Sequence, residues 1–212
     1  NTVGAYNTAV GEGALYNNVD GSNSTAVGRL ALYTQDPASA VNMYNVAVGY
    51  GAGQLVTTGT QNVLIGGLAG DSLNAANENV ALGYSALTAD LKGHRSVALT
   101  DADYNVALGI SSLGLDTKGN KSVAIGAETL TTQNFTTSTD TFNTAVGYAA
   151  GKAVTTGIYN TLIGGRAGDA LTDADYNVAI GGAALTSDTL GSESVAVGTS
   201  ALTAQNFTTA TA

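Results

Sequence analysis

The segment TDADYN occurs at 100–105 and again at 172–177, setting Asp101 two residues from Asp103 and Asp173 two residues from Asp175. Carboxylates on one side of an extended loop are the ligand type of Ca2+, which takes roughly six to eight oxygens. A solvated acidic turn has the same spacing, and the glycine-rich calcium repeat is missing. No metal or other cofactor is therefore expected, and these four aspartates are the candidates should one bind. Neither pair makes an acid/base couple, because nothing around it supplies a pocket that would perturb a pKa. His94, the only histidine, lies in KGHR (92–95) without cysteine or a matching Ser/Asp constellation, so neither a triad nor a zinc site is expected. GYGAG (49–53) and GGRAGD (164–169) have the glycines of phosphate loops, but no helical periodicity follows them.

Other residues suit contact better than catalysis. Lys92 and Arg95 occupy the same repeat positions as Lys118 and Lys121, which gathers four of the seven cations on one side. Such a patch can meet an acidic glycan or partner, or simply compensate an acidic chain. Tyr6, Tyr44, Tyr104, Phe142, Tyr159 and Tyr176 precede a recurrent motif, and Tyr50, Tyr84 and Tyr148 follow it. Rows of aromatic side chains can stack sugars or fill a receptor groove; packing of turns and subunit edges is the competing reading. The longest loops, TQDPASAVNMY (34–44) and TTQNFTTSTDTF (131–142), are the first places to look for binding. The candidate partner-binding residues are thus Tyr44, Tyr104, Phe135, Tyr176, Lys92, Arg95, Lys118 and Lys121.

These side chains must be positioned by a repeat. A five-residue pattern, Asn/Ser then Val/Thr, Ala/Leu, Val/Ile/Leu and Gly, starts at 7, 24, 45, 62, 79, 96, 105, 122, 143, 160, 177 and 194. So short a period implies a solenoid in which each repeat is one coil. The alternation predicts a short strand whose second and fourth slots face the inside of the coil. The third slot, Ala ten times and Leu twice, is then outward yet never polar, which predicts a covered subunit contact. That reading makes Ala47, Leu64, Ala81, Ala107, Ala124, Ala145, Leu162, Ala179 and Ala196 the interface candidates. A glycine turn follows, then a second short strand such as Ala14-Leu15 or Ala184-Leu185, then a polar return loop. First-slot asparagines should stack into a structural amide ladder.

Residues 100–135 match 172–207 at an offset of 72, and 45–72 match 143–170 at an offset of 98. The chain therefore reads as one repetitive domain, 1–212, in modules of about 7–44, 45–142 with an insertion near 79–104, and 143–212. The SVAL at 96–99, whose glycine is replaced by Thr100, belongs either to an inserted coil with a junction or to one enlarged coil.

Composition narrows the class. With 28 Gly, one Pro, no Cys and a net charge of −9, the chain suits a β-rich solenoid and disfavours nucleic acid and anionic membrane surfaces. Apolar runs are too short to span a bilayer. The chain opens inside a repeat and ends in a Thr-rich run, so it reads as a fragment of a longer fibre.

SVAIG (122–126), SVAVG (194–198) and NVAVG (45–49) resemble the head repeats of YadA-like trimeric autotransporter adhesins, and NTAVGEGAL (7–15) is similar to repeats of phage tail fibres and other trimeric surface fibres. The resemblance covers almost the whole chain. It implies an all-β, left-handed parallel β-roll of about a dozen coils, assembled as a homotrimer. It also implies a place on a bacterial cell surface or a virion, and attachment to a host-surface protein or glycan. A purely structural spacer is the alternative reading. An ice-binding solenoid is a remote one, since the second-slot threonines Thr8, Thr25, Thr144 and Thr161 are irregular. An enzyme is not expected.

Overall fold

A computed structural model describes residues 3–88, 102–207 and 209. Within them the chain is all-β, without helix, and winds into a parallel β-solenoid. Eleven strands of three residues form the main sheet: β1 (Thr8–Val10), β3 (Thr25–Val27), β5 (Val46–Val48), β6 (Val63–Ile65), β7 (Val80–Leu82), β8 (Val106–Leu108), β10 (Val123–Ile125), β12 (Thr144–Val146), β13 (Thr161–Ile163), β14 (Val178–Ile180) and β15 (Val195–Val197). Every neighbouring pair is parallel and in register, third slot against third slot, as in Ala47 opposite Leu64. At the strand spacing of about 4.8 Å the sheet is about 50 Å long.

The remaining strands mark the two 21-residue coils. β2 (Gly21–Ser22) pairs with β4 (Val41–Asn42), and β9 (Gly119–Asn120) pairs with β11 (Thr139–Asp140), so each long loop is tied back onto the preceding coil. Between the modules, β7 pairs directly with β8 in the register Val80 to Val106. β7 and β8 are thus direct neighbours in the sheet although 26 residues separate their starts; residues 89–101, which include SVAL at 96–99, lie outside the described residues.

The strand faces are the reverse of the sequence expectation. Ala26, Ala47, Leu64, Ala81, Ala107, Ala124, Ala145, Leu162 and Ala179 are 0 % exposed and Ala196 1 %, all within the chain's own core. As interface candidates Ala47, Leu64, Ala81, Ala107, Ala124, Ala145, Leu162, Ala179 and Ala196 are thus corrected: each points into its coil. The second and fourth slots point outward and are half-buried or exposed. The reason is width. So narrow a coil accepts Ala on one wall because Leu reaches across from the other, as Leu32, Leu87, Leu113, Leu130 and Leu185 do at the ninth position of their coils.

The interior is close-packed across neighbouring coils. Each third-slot leucine fills space left by glycines at the ninth position of its own and the preceding coil: Leu64 goes with Gly70 and Gly53, and Leu162 with Gly168 and Gly151. A Cβ on Gly70 would lie 2.6 Å from Leu64 Cδ2, and one on Gly168 would lie 2.8 Å from Leu162 Cδ2.

Ala-Leu segments are turns, not second strands. Leu15, Leu87, Leu185 and Leu202 have φ between 50° and 57°, left-handed and incompatible with β structure. Their amides still hydrogen-bond up the stack, Leu15 N donating to Ala31 O at 3.0 Å. The fifth-slot glycines need their missing Cβ: at Gly164, φ is 135° and a Cβ would sit 2.5 Å from the Gly181 carbonyl oxygen of the next coil.

Candidate functional site

First-slot asparagines form the expected ladder. Asn62 donates through its backbone N and its Nδ2 to Asn45 Oδ1 (2.9 and 3.1 Å), and Asn79 does the same to Asn62 Oδ1 (3.1 Å each). Nδ2 also bridges the coil's own interior, from Asn45 to Gly59 O at 2.7 Å and from Asn160 to Ala174 O at 2.8 Å. These amides are structural.

At Ser24, Ser122 and Ser194 a polar relay, buried in the first two, replaces the amide. Ser24, Ser122 and Ser194 are each followed eleven residues later by a glutamine, Gln35, Gln133 and Gln205. Gln133 Nε2 donates to Asp116 Oδ2 (2.5 Å) and Ser122 Oγ (2.9 Å), while its Oε1 accepts from Asn143 Nδ2 (2.9 Å). Gln205 repeats this with Asp188 (2.6 Å) and Ser194 (2.8 Å), and Gln35 meets Asn18 Oδ1 at 3.2 Å. Asp116 is buried without a cation; burial pushes its carboxyl up to about 6, despite hydrogen bonds from Gln133 and the Gly119 amide. Asn18 takes the same place in its coil and likewise accepts from a glutamine Nε2, but its Nδ2 donates to Gly21 O at 2.8 Å where Asp116 accepts from the Gly119 amide; a neutral amide at this position shows a packing role.

The aspartate pairs serve the stack. Asp103 Oδ1 accepts from Asn77 N (2.8 Å), Asp175 Oδ1 accepts from Ile158 N (2.7 Å), and Asp173 accepts from the Thr156 hydroxyl. Each carboxylate holds the preceding coil. Among the described residues no three His, Asp or Glu side chains cluster as a metal site. Asp101 lies outside the described residues, as do His94, Lys92 and Arg95.

The candidate contact residues separate into three groups. Phe135 is 6 % exposed, so it is corrected from a contact residue to a buried one. Lys121 pairs with Asp140 (2.5 Å) and lies 5.0 Å from the Phe142 ring centroid; Lys118 also engages another group. Tyr44, Tyr104 and Tyr176 are exposed. Tyr176 stacks on Tyr159 and Tyr159 on Phe142, with centroids 5.0 Å apart in both pairs. Stacked along the rod, these rings cover one another's faces and present their edges. Sugar stacking, which needs a free face, is thereby restricted to the ends of the row.

The largest feature is the outer strand face itself. The Val, Ile and Leu of the second and fourth slots line the sheet along its length, interrupted in the second slot by Thr8, Thr25, Thr144 and Thr161. Tyr104, Phe142, Tyr159 and Tyr176 flank one edge and Tyr50, Tyr84, Ile110 and Tyr148 the other, all exposed. A three-residue strand is about 10 Å wide, so the ribbon covers about 500 Å2 over the sheet; the aromatics widen it in places, and Asn23, Gln61, Glu78, Lys121 and Glu193 on one edge and Glu12 and Arg29 on the other bound it elsewhere. That is the upper part of the range of about 300–600 Å2 usual for the largest apolar patch on a monomeric protein, a patch that is often functional. This face was missed from sequence because β-branched residues in alternation were assigned to the core. The signal that identifies it is the pair of third-slot leucines, Leu64 and Leu162, each set among ninth-position glycines of its own and the preceding coil, as facing core positions require.

Comparison with protein-family models, with curated proteins and with solved structures finds no match to this chain.

Proposed function

We propose that the chain is a non-enzymatic segment of an extracellular fibre, a left-handed parallel β-roll whose three copies pack side by side as a homotrimer. Its work is attachment: three copies of each coil-edge loop on a stiff rod hold a host-surface protein or glycan through many weak contacts. The observation that carries this reading is the outer strand face, apolar on every coil except for the threonines at 8, 25, 144 and 161 and flanked by exposed aromatic rings. The resemblance of SVAIG and its relatives to trimeric adhesin heads and tail-fibre repeats supports the same arrangement, on a bacterial surface or a virion. The partner surface is moved from the third slot to the second and fourth.

A structural spacer is the second reading, favoured by how fully the long loops are tied to their own chain through β2–β4 and β9–β11. Alanine substitution of exposed loop residues 136–138, with Thr139 and Asp140 kept for the β11 pairing and the pair with Lys121, separates the two. Loss of binding to immobilised matrix or host cells, with the trimer intact, supports attachment; unchanged binding assigns this segment to spacing. An ice-binding role would instead appear as thermal hysteresis in the purified segment.

A further inference from the structure

Gly165 and Gly182 have no explanation within a single chain. Each follows the fifth-slot glycine, has a φ open to any residue, and would place an added Cβ with nothing within 4 Å. The same position holds Tyr50, Tyr84, Ile110 and Tyr148 in some coils and Glu12, Arg29, Ala127 or Thr199 in others; at Gly67 an added Cβ would lie 3.3 Å from the Tyr84 ring of the next coil, a neighbour that Gly165 and Gly182 lack. A surface glycine free of local need carries an unfolded-state entropy penalty without a folded-state return, so something outside the chain must use the space. At the opposite end of the same two strands stand the exposed, stacked rings of Tyr159 and Tyr176.

We propose that Gly165 and Gly182 are sockets for Tyr159 and Tyr176 of the neighbouring copy, fixing the assembly as parallel and in register. This rests on the trimer reading above. Rotation about an axis parallel to the rod brings the edge before each strand against a neighbour's edge after the same strand, at the same height. Tyr159 then meets Gly165, and Tyr176 meets Gly182. One coil earlier, Phe142 meets Tyr148, ring against ring. An antiparallel pair would instead set the tyrosine edge against itself and leave both sockets empty. The sockets sit beside the apolar ribbon, so the contact area and the register come from one continuous surface.

The absence of cysteine makes the test clean. Residues 159 and 165 are six positions apart on extended chain, about 15–20 Å, while a disulfide needs Cα atoms within about 7 Å. Any bond in Tyr159→Cys/Gly165→Cys therefore joins different chains. Mild oxidation should give a covalent three-chain species on non-reducing denaturing gels, at least tenfold more than Tyr159→Cys/Gly182→Cys, whose cysteines are one coil out of step. In parallel, Gly165→Tyr/Gly182→Tyr should keep its β circular dichroism and raise the concentration at half-assembly at least tenfold. Equal or absent cross-linking in samples that sediment as three chains, or unchanged assembly of the tyrosine variant, overturns the sockets. A wild-type segment sedimenting as one chain overturns the trimer reading itself.

Discussion

Asp116 is the residue at which pH should be felt. The fold raises its pKa from 3.8 to about 6 by burial, so the native state binds the proton more tightly than the unfolded chain. Its favourable contribution is complete below 3.8 and is lost as pH rises through about 6. Between about pH 4 and about pH 8 this site should lose on the order of 3 kcal/mol. Asp116→Asn, which copies Asn18, should remove that slope and stabilise the chain at neutral pH; urea unfolding of both proteins across this range measures the difference. A parallel decline in the two would refute it. The fifth-slot glycines make the opposite prediction, since Gly164→Ala drives a Cβ into the Gly181 carbonyl. A loss of roughly 3 kcal/mol is expected from clash and backbone strain together, read as a lower unfolding midpoint.

The coil, as an element, is specified by volumes that sum across its interior. Leu64→Ala should cost about 3 kcal/mol by opening a cavity. Gly70→Leu alone should destabilise by overpacking, because its side chain would enter the space of Leu64. Combined, the two reproduce the Ala-and-Leu arrangement of Ala81 with Leu87, and a double-mutant cycle should show favourable coupling of at least about 1 kcal/mol. Additive losses would contradict the pairing. The same volumes explain what was legible in the sequence. Spacing identified the coils, the asparagine ladder and the seam at 79–104, because each depends on position along the chain. The inward face was misassigned because alternation gives only the period of two, and Val or Ile is apolar on either side. Ala-Leu looked extended, yet Leu87 adopts φ 52°, a left-handed conformation that only the stacking of coils holds in place. Phe135 looked available in a polar loop, but the folded coil leaves it only 6 % exposed. The Gln133 relay escaped notice because Gln and Ser attract no attention until the coil places them together.

At the scale of the whole molecule, the account depends on the outer face of the sheet. A monomer would leave about 500 Å2 of apolar ribbon, flanked by exposed aromatic rings, in water. Ile125→Lys with Ile180→Lys should abolish assembly and leave the coil folded, since both side chains point away from its core. Loss of the fold together with assembly would return these positions to the interior. The most direct test is the sedimentation mass of the wild-type segment at micromolar concentration. Three chain masses, falling to one in the double lysine variant, is the predicted result; one chain mass in the wild type would contradict the account.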